Sequence, residues 1–119
     1  MLISDKLNQA MNAQVGSELG ASHQYLQIAA YFEREFLPEL ADFFYRQSDE
    51  ERLHALKSVH YIVEAGGSLA IPEVPAPPYK LDSAEAAAKL ALEWELEVTN
   101  QINQLTDMAI EENDHIAQQ

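Results

Sequence analysis

Arg46-Gln47-Ser48-Asp49-Glu50-Glu51-Arg52-Leu53-His54-Ala55-Leu56 is the stretch whose reading decides the fold. It reads as the middle of a helix. The line Leu40, Phe44, Gln47, Glu51, His54, Ser58, Tyr61, Ala65 advances in steps of four and three, which is one face of a helix. That face is apolar or aromatic at Leu40, Phe44 and Tyr61 and polar in between. A carboxylate and an imidazole on a core-facing stripe cost free energy unless they are paired or bind a metal. The stretch therefore predicts a helical bundle with chemistry in its middle.

Outward from this stretch, Pro38 suits the first turn of the helix and Gly66-Gly67 a C-terminal stop, so the helix is expected over residues 38–65. Phe36-Leu37-Pro38 separates it from an earlier helix expected over 4–35, with Ser4 or Asp5 as N-cap. The seam of that first helix runs Leu7, Met11, Val15, Glu18, Ser22, Tyr25, Ala29, Phe32. Gly16 and Gly20 weaken it by roughly 1 kcal/mol each relative to alanine, a cost that close helix packing explains. So short a connection makes the two helices antiparallel neighbours.

Residues 67–82 are different in kind. Four of the chain's five prolines fall between Ser68 and Leu81, which predicts an extended, stiff segment. About fifteen residues at roughly 3 Å each span some 40 Å, the length of a helix of this size, so the segment is a crossover and not a domain boundary. Asp82-Ser83-Ala84-Glu85 reads as a capping box opening a third helix over 83–112. Its seam is Ala84, Ala88, Ala91, Glu95, Val98, Ile102, Leu105, Ala109, while Glu93 and Glu97 fall off it and read as solvated. Asn113-Asp114 resembles a turn.

The 119 residues make a single domain, 1–119. With seven Lys and Arg against 20 Asp and Glu the net charge is -13, which excludes a nucleic-acid binder and disfavours an anionic membrane surface. The same charge is compatible with attracting cations. The absence of cysteine excludes disulfides, thiolate metal sites and cysteine nucleophiles within the chain. No stretch resembles a signal peptide or a membrane span, and a soluble, cytoplasmic protein is expected.

Three helices each carry one acid on the core face: Glu18, Glu51 and Glu95, with His54 one turn beyond Glu51. Glu51 and Glu95 lie at similar depths in helices expected to run parallel, and antiparallel packing brings Glu18 to the same level. Buried carboxylates at one level repel one another unless a cation neutralises them. Carboxylates with one imidazole suit iron or manganese, and Glu51 is placed to bridge two metals with His54 on one of them. Hydrogen-bonded polar residues in a core remain the alternative on spacing alone. Glu112-Asn113-Asp114-His115 repeats the Glu-x-x-His spacing, but it spans the expected turn and is set aside as a decoy. His23 and His60 lack acid partners at ligand spacing and read as surface or core filler.

At these residues the chain resembles the ferritins, in particular the bacterial non-haem ferritins. The resemblance covers essentially the whole sequence: Glu18 followed by Tyr25 in VGSELGASHQYL, Glu50-Glu51-Arg52-Leu53-His54, the long crossover, LEWELEVTNQIN with Glu95, and the Asn113-Asp114 turn. It implies an all-α, ferritin-like antiparallel helix bundle with a long crossover between the second and third helices. It also implies that Glu18, Glu51 and His54 hold one iron while Glu51 and Glu95 hold a second. Tyr25 matches a tyrosine beside the site, and Glu50 an acid of an accessory third iron site. The implied function is ferroxidase activity, oxidising Fe(II) with oxygen or peroxide, and storage of a ferric mineral in a homo-oligomeric shell of 24 subunits.

Family members continue into a fourth long helix, which carries the Gln or Glu completing the second iron site, and usually a short fifth. This sequence stops at Gln119, so a bundle truncated before helix 4 is expected, either because the sequence is a fragment or with the apolar groove filled by another copy. Two further readings follow: a catalytically impaired structural bundle or shell subunit, and a rubrerythrin-like peroxidase. Against the second, this sequence lacks the cysteine-rich iron domain of typical rubrerythrins and the additional acid ligands expected for it. A haem-binding bacterioferritin is disfavoured, because no methionine of this sequence occupies the matching site in the second helix.

Overall fold

A computed structural model describes residues 2–78 and 80–117, with the side chains at 98 and 113–117 outside that description. Three helices follow in order, α1 (Asp5–Arg34), α2 (Pro38–Glu64) and α3 (Ala84–Ala117). Ser4 caps α1, its Oγ accepting from the Leu7 N–H at 3.1 Å. Pro38 opens α2, where its missing N–H is no loss. The turn between them places Phe36 at φ 61°, a left-handed conformation that an ordinary residue adopts at a cost of about 1–2 kcal/mol. The return is a closed helix end, with the Leu37 N–H donating to Phe32 O and the Phe36 N–H to Glu33 O.

At the far end of α2, Gly66 takes φ +80° and Gly67 donates to Ile62 O at 2.8 Å, the expected glycine stop. Asn8 and Asn12 of α1 then seize the start of the crossover. Asn8 Oδ1 accepts from the Ser68 N–H, Asn12 Oδ1 from the Ala70 N–H, and Asn12 Nδ2 donates to Ser68 O. The crossover returns to the other end of the bundle, where Leu81 packs on the cluster containing Phe32. It runs beside α1: a Cβ on Gly16 would stand 2.6 Å from Pro72 Cγ, and one on Gly20 would stand 3.3 Å from the Trp94 ring. Gly20 therefore serves helix packing, as expected, whereas Gly16 makes room for the crossover.

α1 is the hub. It packs against both α2 and α3, which do not pack against each other among the described residues. The α1 seam is buried as read, from Leu7 to Phe32, with Met11 half-buried. The seams of α2 and α3 are rotated. In α2 the buried line is Ala41, Phe44, Ser48, Glu51, Ala55 and Ile62, leaving Leu40, His54 and Tyr61 exposed on its flank. In α3 the buried or half-buried line passes through Ala87, Ala91, Trp94, Gln101, Leu105 and Met108 in place of Ala84, Ala88 and Ile102, which are exposed. Val98, also expected on that seam, lies outside the described side chains. A helix touching one neighbour buries the stripe facing that neighbour, and period alone does not say which flank it is.

Two further expectations are corrected. The cap of α3 is Ser83 and not Asp82, its Oγ accepting from the Ala86 N–H at 3.0 Å, with Glu85 left in the first turn where the helix dipole favours an acid. The Asn113-Asp114 turn is absent, since α3 continues through both residues to Ala117. Neither residue costs more than a few tenths of a kcal/mol over a good helix former, and no glycine or proline enforces a stop. His115, set aside above, lies outside the described side chains. No described helix is long and apolar enough to cross a membrane.

Candidate metal centre

Two apolar clusters divide the bundle along its length. One gathers Ala21, Tyr25, Ile28, Phe32, Phe44, Ala87 and Ala91, and the other Val15, Ala55 and Ile62. Between them, Gln14, Glu18 and Ser22 of α1 and Ser48 and Glu51 of α2 form a buried polar layer. Ser22 and Ser48 clamp the two helices reciprocally: Ser22 Oγ donates to Ser48 O at 2.9 Å and Ser48 Oγ to Ser22 O at 2.8 Å. Small side chains let the backbones approach there, which sets the level at which the two acids enter the core.

Glu18 and Glu51 are 4% and 5% exposed, so both carboxylates are inside the molecule. Gln14 Nε2 donates to Glu18 Oε1 at 3.1 Å, whereas Glu18 Oε2 and Glu51 Oε2 are buried without a hydrogen-bond partner. Burial raises the Glu18 carboxyl above its ordinary range, against the lowering effects of Gln14, His54 and Ser58. Burial also raises Glu51, with His54 opposing and the charges of Glu95 and Glu18 adding to the rise. Glu51 thus senses an acid on each of the other two helices. His54 Nδ1 lies 3.7 Å from Glu51 Oε2, but its side chain is 47% exposed, so the imidazole stands at the rim and not inside the core as the sequence led us to expect. The reason is the rotation of α2, which turns that flank away from α1.

Glu95 is exposed, and the Tyr25 hydroxyl donates to its Oε1. Burial raises the Tyr25 hydroxyl strongly, the bond to Glu95 raises it further, and the phenol stays protonated as a donor. Glu50 is exposed, and so are His23 and His60, the two histidines read as surface or core filler. Among the described residues no three His, Cys, Asp or Glu side chains are drawn together as a group that could hold a metal ion. Carboxylates at one level repel, and the Glu95 carboxylate is taken up by the Tyr25 hydroxyl. What fits a cation is the ligand chemistry: two buried carboxylate oxygens without a hydrogen-bond partner, beside an imidazole. Sequence reasoning missed Gln14, although its place four residues before Glu18 is a helical pair spacing.

The raised carboxyls make a prediction. A group whose folded value lies above its unfolded one stabilises fully below the unfolded value and loses that contribution as pH rises through the folded value. For Glu51 the window opens near the ordinary 4.5 and extends upward. With chelator present, Glu51→Gln is expected to melt above the parent chain at pH 8, by a margin of about 1–3 kcal/mol that shrinks towards pH 4.5. Glu50→Gln, the same charge change on the exposed neighbour, controls for net charge. A margin independent of pH, or equal in both variants, would contradict the burial of Glu51.

Known proteins carry the same fold. The chain is 38% identical over 114 residues to ferritin BfrB of Mycobacterium tuberculosis, covering 96% of this chain and 63% of that protein. It is 33% identical to the bacterial non-heme ferritin of Staphylococcus aureus, covering 96% of this chain and 69% of the relative. The chain thus spans less than two thirds of the length of the mycobacterial relative. Among solved structures, an open pore ferritin from the hyperthermophilic archaeon Archaeoglobus fulgidus superimposes with a TM-score of 0.88 at 34% identity, over 96% of this chain and 70% of that one. The family model for the ferritin-like domain matches residues 8–119. A match that runs unbroken through α1, the crossover and α3, with the helices superimposing on a ferritin, leaves one assignment: the chain belongs to the ferritin family.

Proposed function

We propose that the chain binds Fe(II), oxidises it with oxygen or peroxide at a di-iron carboxylate site, and contributes to a homo-oligomeric cytoplasmic shell that stores the ferric product as mineral. The observation that carries this reading is the pair of buried oxygens without a hydrogen-bond partner, Glu18 Oε2 and Glu51 Oε2, in the middle of the bundle. Such oxygens are costly in a core without a cation and well suited to one. Glu18, Glu51 and His54 would hold the first iron and Glu51 and Glu95 the second, with Glu50 at an accessory position.

Iron is the substrate here. Each Fe(II) gives up one electron, and two ions side by side supply the pair that oxygen or peroxide accepts. The chain contributes carboxylates whose negative charge favours the more highly charged ferric product. Tyr25 keeps Glu95 at the edge of the site by its hydroxyl. The net charge of -13 draws cations towards the molecule.

A second reading, a bundle without oxidase activity, is favoured by the exposure of Glu95 and of nearly half the His54 side chain. Aerobic Fe(II) oxidation by the purified chain separates the two. Ferric absorbance is expected to rise faster than in buffer alone, and Glu18→Ala is expected to remove the difference. A rate equal to the buffer control would leave the structural reading in possession.

A further inference from the structure

Gln14 is a neutral side chain in the one place where neutrality matters. It is 3% exposed, lies one helical turn before Glu18, and donates from Nε2 to Glu18 Oε1 at 3.1 Å. The other oxygen of the same carboxylate, Oε2, is buried with no partner. A carboxylate on a glutamate stem can rotate about its last bond and exchange its two oxygens. One fixed donor breaks that symmetry, so a single oxygen is committed to the protein and the other stays free.

Gln14 also lines a cavity of about 220 Å³ between α1 and α3, with Gln101 and Gln104 on the opposite wall. Gln101 Oε1 is buried there without a partner, yet the Gln14 amide is committed to Glu18. An acid at position 14 would repel Glu18, and a lysine or arginine would neutralise it and compete with a cation. An amide donates a hydrogen bond and leaves the negative charge intact.

We propose that Gln14 is a positioning residue for Glu18: its amide pins Oε1 and thereby presents Oε2 to the metal. The proposal rests on the reading of Glu18 as an iron ligand. Residues that orient a metal ligand through a hydrogen bond typically contribute 10- to 100-fold to affinity.

The test uses the 119-residue chain and Co(II), which is redox-inert in air and reports its coordination by visible absorption. Gln14→Met preserves length and volume and removes the donor. It is expected to weaken Co(II) binding by about 10- to 100-fold. Gln101→Met, the same change on the facing wall, is expected to leave affinity within about twofold, which a merely structural loss in the cavity would not do. In a Glu18→Ala background, Gln14→Met is expected to add less than about a further twofold, because its effect runs through Glu18. If Glu18→Ala leaves no binding to measure, the Co(II) spectrum at saturation decides, and it is expected to change in Gln14→Met and not in Gln101→Met. Parental affinity and spectrum in Gln14→Met, while Glu18→Ala loses Co(II), would overturn the role of Gln14 and leave the metal site standing. Equal losses in Gln14→Met and Gln101→Met, or the same loss with and without Glu18, would also overturn it. A parent chain that takes up no Co(II) would remove the metal site and this proposal together.

Discussion

Replacing Glu51 by alanine is expected to abolish stoichiometric Fe(II) binding while leaving the helices folded. Glu51 reaches the core from α2 at the level where Glu18 enters from α1, it lies next to His54, and the charge of Glu95 reaches it from α3. No other acid in the described structure is linked to all three helices in this way. If two irons share it, its loss weakens both, and a drop in affinity of more than about 100-fold follows from the removal of a ligand that two cations use. Stability should change little. Glu51 Oε2 is buried without a hydrogen-bond partner, so removing the carboxylate relieves a desolvation cost of about 1–3 kcal/mol, which a cavity cost of similar size offsets. Anaerobic Fe(II) titration beside a thermal melt measures both. Unaltered binding would remove Glu51 from the site, and loss of binding together with loss of helicity would make the residue structural.

Tyr25 carries the second large effect because it belongs to the core and to the site at once. It is 1% exposed, its ring lies 5.9 Å from that of Phe44, and Phe44 stacks on Phe32 at 5.6 Å. Tyr25→Ala would open a cavity in the larger apolar cluster at a cost of about 3–5 kcal/mol, a large share of the roughly 5–15 kcal/mol that holds such a domain together. Tyr25→Phe keeps the ring and gives up only the hydroxyl bond to Glu95, and since Glu95 is exposed, water replaces the lost donor at a cost of about 1 kcal/mol or less. Urea unfolding should place the two variants far apart. Glu95 is freed in Tyr25→Phe, so the rate of Fe(II) oxidation is expected to change while Fe(II) binding at Glu18 and Glu51 remains. Equal destabilisation by the two substitutions would mean that the hydroxyl, and not the ring, holds this part of the bundle.

Much of the local structure was legible because its causes are local. Ser4 before α1, Pro38 at the head of α2 and Gly66-Gly67 at its end act through the backbone within a few residues, and each does in the structure what its chemistry predicts. The proline-rich crossover is extended because proline permits little else. The α1 seam was legible for a further reason. α1 is covered on two sides, so its buried stripe is wide and contains the line that periodicity picks out. Asn113-Asp114 misled because a pair of weak helix formers signals a turn only where something else ends the helix.

By itself the sequence determined an all-helical bundle, the places where its helices begin and the first two end, and the presence of one acid, Glu18, Glu51 or Glu95, on a seam of each helix. Only the tertiary structure decided how each helix rotates about its own axis. Among the described residues α2 and α3 each pack on α1 and not on each other, and the rotation puts Glu51 inside, His54 at the rim and Glu95 against the Tyr25 hydroxyl. It also buried Gln14 together with Glu18 and left one oxygen of that carboxylate without a hydrogen-bond partner. The physical reason is that helical periodicity defines a stripe, whereas burial, and with it the ionisation and pairing of an acid, depends on which neighbour covers that stripe.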